Sequence, residues 1–175
     1  MAIIKVASSI FSTVRTITKA LKVAKTGDAI HLSEGTYNEN IEIEGTVTIE
    51  GAGTQHTCIE GSVIVKKGAS IVFENITFHP STTIQIDGNV FFNHCDISTS
   101  HVRTLLCVSG TLDIKHSIVS GAKEIGIELR PNAQLTIDQC AIYSNGKANI
   151  LADYATVDLY NSTLHSANHA IWLRN

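Results

Sequence analysis

One hydrophobic pattern recurs along the chain: apolar, any, apolar, two freer positions, a small or apolar residue, any, apolar. It reads Ile71-Val72-Phe73-Glu74-Asn75-Ile76-Thr77-Phe78 and Val90-Phe91-Phe92-Asn93-His94-Cys95-Asp96-Ile97. It returns over 112–119, 135–142 and 157–164. A weaker copy begins at Val47, so the copies start at residues 47, 71, 90, 112, 135 and 157, spaced 19 to 24 apart. Alternation with a period of two is strand chemistry. The two-residue break is a corner where one strand hands over to the next. A spacing near 22 is too short for paired-helix repeats. It suits one coil of a β-solenoid with about three short strands per coil. A leucine-rich repeat of similar length would want Leu at most core sites and one fixed Asn. Here Ile and Val dominate, and the small interior slot holds Ile76, Cys95, Ser117, Cys140 and Ser162.

Each coil has a second apolar segment, such as Val63-Ile64-Val65, Ile84-Gln85-Ile86, Leu105-Leu106-Cys107 and Ile125-Gly126-Ile127. Turn residues follow, among them Lys67-Gly68-Ala69, Asp87-Gly88-Asn89 and Ser109-Gly110-Thr111; Gly and Asn supply the positive φ that such corners need. The start is different. Phe11 to Ala24 has helical spacing, with Ile17, Ala20, Leu21 and Ala24 on one face. Thr13 or Thr16 is placed to cap it and Gly27 to end it. The expectation is a single all-β domain over 1–175, with a capping helix over about 11–25 covering the open N-terminal end. Roughly six to seven parallel coils follow over about 28–175, stacked in register.

Composition bounds the function. The chain has 175 residues, 43% of them hydrophobic and 17% charged, which excludes intrinsic disorder. A net charge of -3 argues against nucleic acid or an anionic membrane as partner. Met1 to Ala7 lacks the basic start of a signal peptide, and Lys5 interrupts its apolar run, so a non-exported, cytoplasmic protein is expected. The four cysteines, Cys58, Cys95, Cys107 and Cys140, form no CxxC pair. Cys95 and Cys140 share the interior slot two coils apart, ~9–10 Å by strand spacing, beyond the ~7 Å that a disulfide spans. Unpaired core thiols are expected.

The opening stretch FSTVRTITKALKVAKTGDAIHLSEGTYNENIEI resembles the start of the pectin lyase-like right-handed parallel β-helix superfamily. Gly27-Asp28, Gly35-Thr36-Tyr37, Glu39 and Ile41 stand at matching places, and the later coils resemble its generic repeats. The resemblance implies the fold and leaves the activity open, because the superfamily holds lyases, hydrolases, esterases, phage spikes and non-catalytic modules. The look is nearest to short cytoplasmic β-helix proteins without a recognised catalytic motif, some joined to other modules in bacteria. The lyase, polygalacturonase and methylesterase motifs cannot be placed residue by residue here.

Candidate chemistry lies on outward positions. Asp113 and Asp158 share one column with Thr136 between them, and Lys115 and Asp138 are neighbours in the next. They are candidates for acid–base or calcium chemistry, against the simpler reading of a solvated face worth on the order of 0–1 kcal/mol per pair. The corner position holds Asn75, His94, His116, Gln139 and Asn161, which predicts a hydrogen-bonded ladder of amides and imidazoles. His94 and His116 are the candidate metal pair, although two ligands do not make a site. No cofactor is expected. Tyr143, Tyr154, Tyr160, Phe91 and Trp172 offer rings for sugar stacking or, more simply, for anchoring loops and the chain end.

The sequence runs out at Ile171-Trp172-Leu173 in an apolar segment with no capping helix after it. Three readings stay open: Trp172 caps the end, the end meets a protein partner or second copy, or the chain is the N-terminal domain of a longer protein. The functional expectation is a non-catalytic scaffold or binding module, presenting a parallel sheet and its C-terminal end to a protein partner. The alternative is a carbohydrate binder or divergent polysaccharide lyase or hydrolase.

Overall fold

The computed structural model describes residues 2–7 and 14–174, which form 22 strands and one helix. Every strand pairing is parallel, and the strands fall into three sheets that the chain visits in turn, winding right-handed. Sheet A has eight strands: Ile3–Val6, Asp28–Leu32, Thr46–Glu50, Ser70–Glu74, Asn89–Asn93, Thr111–Lys115, Gln134–Asp138 and Thr156–Tyr160. Sheet B has seven: Gly35–Asn38, Thr57–Gly61, Thr77–Pro80, Asp96–Ser98, Ile118–Ser120, Ala141–Tyr143 and Thr163–His165. Sheet C has seven: Ile41–Ile43, Val63–Val65, Ile84–Ile86, Arg103–Cys107, Ile125–Leu129, Ala148–Asp153 and His169–Arg174.

The alternating pattern decides what lies inside. In sheet A the inward residues Ile49, Phe73, Phe92, Ile114 and Ile137 stack directly over one another and are fully buried. Phe73 and Phe92 lie face to face with centroids 5.2 Å apart, and Phe78 of sheet B meets both edge-on at 5.1 and 5.5 Å. Apolar burial is the main stabilising term. In-register pairing joins backbone N–H and C=O groups between successive rungs.

Two expectations need correction. The coils exceed six to seven because Ile3–Val6 adds a rung to sheet A, pairing with Asp28–Leu32 across the helical excursion. The helix is shorter than 11–25: it spans Ile17–Val23, while 14–16 are non-helical and 11–13 lie outside the described residues. Its start is set by side chains. Thr16 accepts from the Lys19 N–H at 3.1 Å, and Glu39 accepts from the N–H groups of Ile17 and Thr18 at 2.8 and 3.0 Å. Those acceptors satisfy donors left open at a helix start. Ala24 ends the helix in an extended conformation, and Gly27, at φ +84°, serves the turn into Asp28 instead. The helix buries Ile17 and Ala20 and packs on Ile3–Val6, Asp28–Leu32 and Ile41–Ile43.

Candidate functional site

The outward columns of sheet A are where the spacing put them. Asp113, Thr136 and Asp158 sit on adjacent rungs, so the two carboxylates are two rungs apart, ~9.6 Å at the strand spacing. Lys115 Nζ lies 4.0 Å from Asp138 Oδ2, and Asn161 Nδ2 donates to Asp138 Oδ1 at 3.1 Å. These are well-solvated contacts of modest strength.

The corner residues Asn75, His94, His116, Gln139 and Asn161 all adopt left-handed backbone, with φ of 58°, 51°, 48°, 54° and 46°. Asn tolerates this conformation best, and the imidazoles are the less usual occupants. Backbone bonds join the corner from coil to coil. The N–H of Asn75, His94, His116 and Gln139 donates to the carbonyl of Asn93, Lys115, Asp138 and Tyr160 respectively. The ladder of side chains therefore differs from expectation. His94, His116 and Gln139 are exposed, Asn161 bonds only Asp138, and the two imidazoles stack with centroids 4.7 Å apart and planes 21° from parallel. Among the described residues no three His, Cys, Asp or Glu gather in a way that would hold a metal ion.

Inside the same corner, Cys and Ser alternate for a reason. Ser117 Oγ accepts from the Cys95 N–H at 3.0 Å, and Ser162 Oγ accepts from the Cys140 N–H at 3.0 Å. Each serine serves the backbone of the coil before it. All four cysteines are free thiols. Burial pushes the Cys95 thiol up to about 12 and the Cys107 thiol up to about 11, and raises Cys140 and Cys58 as well.

The chain belongs to the right-handed β-helix family. That family's profile, described as "Right handed beta helix region", matches residues 9–174. No curated protein matches the sequence. Among solved structures, a pectin methylesterase from carrot superposes with a TM-score of 0.70 at 16% identity, covering 89% of this chain and 63% of that one. The R241A mutant of AlyGC, a PL6 family alginate lyase, superposes with a TM-score of 0.57 at 8% identity, covering 99% of this chain and 37% of that one. The chain thus spans less than two thirds of either neighbour, and likenesses at these identities concern the fold.

The outer face of sheet C in this β-helix holds residues the sequence reading missed. Arg103–Cys107 buries the consecutive residues Thr104 and Leu105, and the next two strands bury five in a row, Ile125 to Leu129 and Ala148 to Ala152. Strict alternation fails there. Gly126 is small because the Asn145 side chain fills the space where its Cβ would stand. Asn145 accepts from the Ala122 N–H at 3.0 Å and donates to Asn149 Oδ1 at 2.9 Å. The doubled step turns Ile125, Ala148, Leu151 and Trp172 into an apolar cluster separate from the main core. Next to it, buried Glu128 bonds both Arg103 and Arg130, the latter at 2.9 Å. Arg174 lies over the Trp172 ring, 4.8 Å from its centroid, and His169 approaches the same ring at 5.4 Å. Trp172 therefore packs on the outer face over Leu151, while Ile171 and Leu173 sit in the tube's own register over Ile150 and Ala152.

Proposed function

We propose that this β-helix is a scaffold and binding module whose last rung takes a protein partner, a second copy of the chain. One observation carries the reading. Leu159, Ile171 and Leu173 occupy interior register above Ile137, Ile150 and Ala152, yet they are 38%, 37% and 62% exposed. Nothing among the described residues covers them. The last rung also leaves strand edges with unpaired backbone groups, which is the surface that strand addition uses. Burying one leucine there contributes roughly 1.5–3 kcal/mol, and a two-fold contact counts each residue twice. Sedimentation velocity across a wide concentration range tests this. A dimer that disappears in Leu173→Asp supports it, and a monomer throughout overturns it.

A second reading has its own observation. On sheet C, Arg174 pairs with Asp153 and lies over the ring of Trp172, and Arg103 and Arg130 both bond Glu128. Guanidinium groups suit carboxylates, and the solved neighbours include a pectin methylesterase and an alginate lyase. An acidic glycan is the ligand that matches. Titration calorimetry with polygalacturonate and alginate tests it: binding weakened in Arg130→Ala supports the reading, and no heat with either polymer ends it.

A further inference from the structure

We infer a nucleophilic serine site on the outer face of sheet B, in which His79 activates Ser98, Glu60 positions His79, and the substrate is a short-chain carboxylic ester. The site stands apart from the binding surfaces proposed above.

The site is built by the register of four rungs. Ile59, Phe78, Ile97 and Val119 are fully buried, so their neighbours Glu60, His79, Ser98 and Ser120 point outward. Glu60 pairs with His79, Phe78 pairs with Ile97, and Ser98 pairs with Ser120, which puts the four side chains in one column. Rungs stand ~4.8 Å apart, so each side chain meets only its neighbours in the column. Ser98 Oγ lies 2.9 Å from His79 Nδ1. That is the reach of a nucleophile and its base, and a third group beside the base completes the usual arrangement. Glu60 stands on the rung beyond His79, and no side-chain partner engages its carboxylate among the described residues. With Nδ1 accepting from Ser98, the proton of the neutral ring is on Nε2, free to turn toward that carboxylate. The Ser120 hydroxyl, next to Ser98 and likewise unengaged among the described residues, is the donor available to a developing oxyanion. The opening is shallow and lined by His79, Pro80, Ser98, Thr99 and Ser100, which suits a small acyl group.

The chemistry balances with water as the only other reactant. Ser98 Oγ forms a bond to the ester carbonyl carbon as its proton passes to His79 Nδ1, and the carbonyl π electrons move onto oxygen beside Ser120. Collapse breaks the bond to the alkoxy oxygen, which leaves as the alcohol with the proton from Nδ1. Water then repeats the two steps on the acyl-serine and releases the carboxylic acid. The imidazolium formed in each half is offset by the Glu60 carboxylate.

The test uses the full chain, a fluorophosphonate probe read by intact mass and peptide mapping, and hydrolysis of p-nitrophenyl butyrate. The expected result is a single adduct on Ser98, with kcat/KM falling roughly a hundredfold or more in Ser98→Ala and in His79→Gln. Glu60→Gln lowers kcat and leaves KM unchanged, as a positioning residue should. All three side chains point outward, and unchanged circular dichroism and melting temperature confirm that the variants fold. No adduct, an adduct elsewhere, or hydrolysis that survives in Ser98→Ala overturns the proposal. The last case would leave only a bare imidazole at work.

Discussion

Replacing Phe92 by Ala removes a fully buried ring that stacks on Phe73 and meets Phe78 edge-on, whereas Phe91, its neighbour in sequence, points out of sheet A and is half-buried. Deleting a core Phe costs about 3–5 kcal/mol, including the cavity left behind. Each lost ring pair contributes about 0.5–1.5 kcal/mol, which places Phe92→Ala in the upper part of that range. The Phe73 and Phe78 rings are held by coils on both sides, so collapse into the space is limited. In a chain of this size 1 kcal/mol moves the melting temperature by about 2–4 °C. Phe92→Ala should therefore lower it by about 10–20 °C, while Phe91→Ala should cost about 1 kcal/mol or less. Urea unfolding followed by circular dichroism, beside thermal melts, measures both. Equal costs, or a larger one at Phe91, would refute the reasoning, because a one-residue slip in register exchanges the two faces of the strand.

Three further outcomes follow from the same geometry. A thiol reagent at mildly alkaline pH should leave Cys95, Cys107 and Cys140 untouched in the folded protein, since burial raises all three thiols, and should modify all four cysteines in guanidinium; rapid native modification of Cys95 would contradict the core. Asp28 accepts from the N–H groups of Ala2 and Lys25 at 2.6 and 3.0 Å, and these bonds hold its carboxyl below the usual range. Its stabilising effect is present above the unfolded carboxylate pKa and is lost as pH falls through the folded one. Asp28→Asn should then be less stable than the parent near neutrality, with the gap closing in acid; a gap that widens in acid would reverse the sign. Gly110 has φ +84°, and a Cβ there would stand 2.2 Å from the Gly88 carbonyl oxygen, whereas Gly68 shares the φ but has open space around it. Gly110→Ala should cost roughly 2 kcal/mol or more and Gly68→Ala about 1 kcal/mol, measured by urea unfolding.

Part of the functional surface was legible from spacing because it lies on strands that alternate strictly. Lys115 and Asp138, or Asp113, Thr136 and Asp158, could be placed on neighbouring rungs by counting 22 to 23 residues. The Glu60–His79–Ser98 column escaped because its steps are shorter, 19 residues each, and its residues lie just beyond the end of the recurring eight-residue motif. Glu128 escaped for a different reason: every residue of its strand is buried, so alternation does not tell its faces apart.

The order of residues alone determined the periodic unit, the corner positions at Asn75, His94, His116, Gln139 and Asn161, and the aliphatic tube, because each depends on local conformation and on an apolar face recurring at short range. Only the folded coil decided that Ile3–Val6 begins sheet A, that Thr16 and Glu39 set the helix start, that Trp172 lies outside the tube, and that Ser98 meets His79. Those are contacts between coils, and a parallel stack brings together residues about one coil length apart, so the exact length of each corner selects the partner. No local rule sets that length.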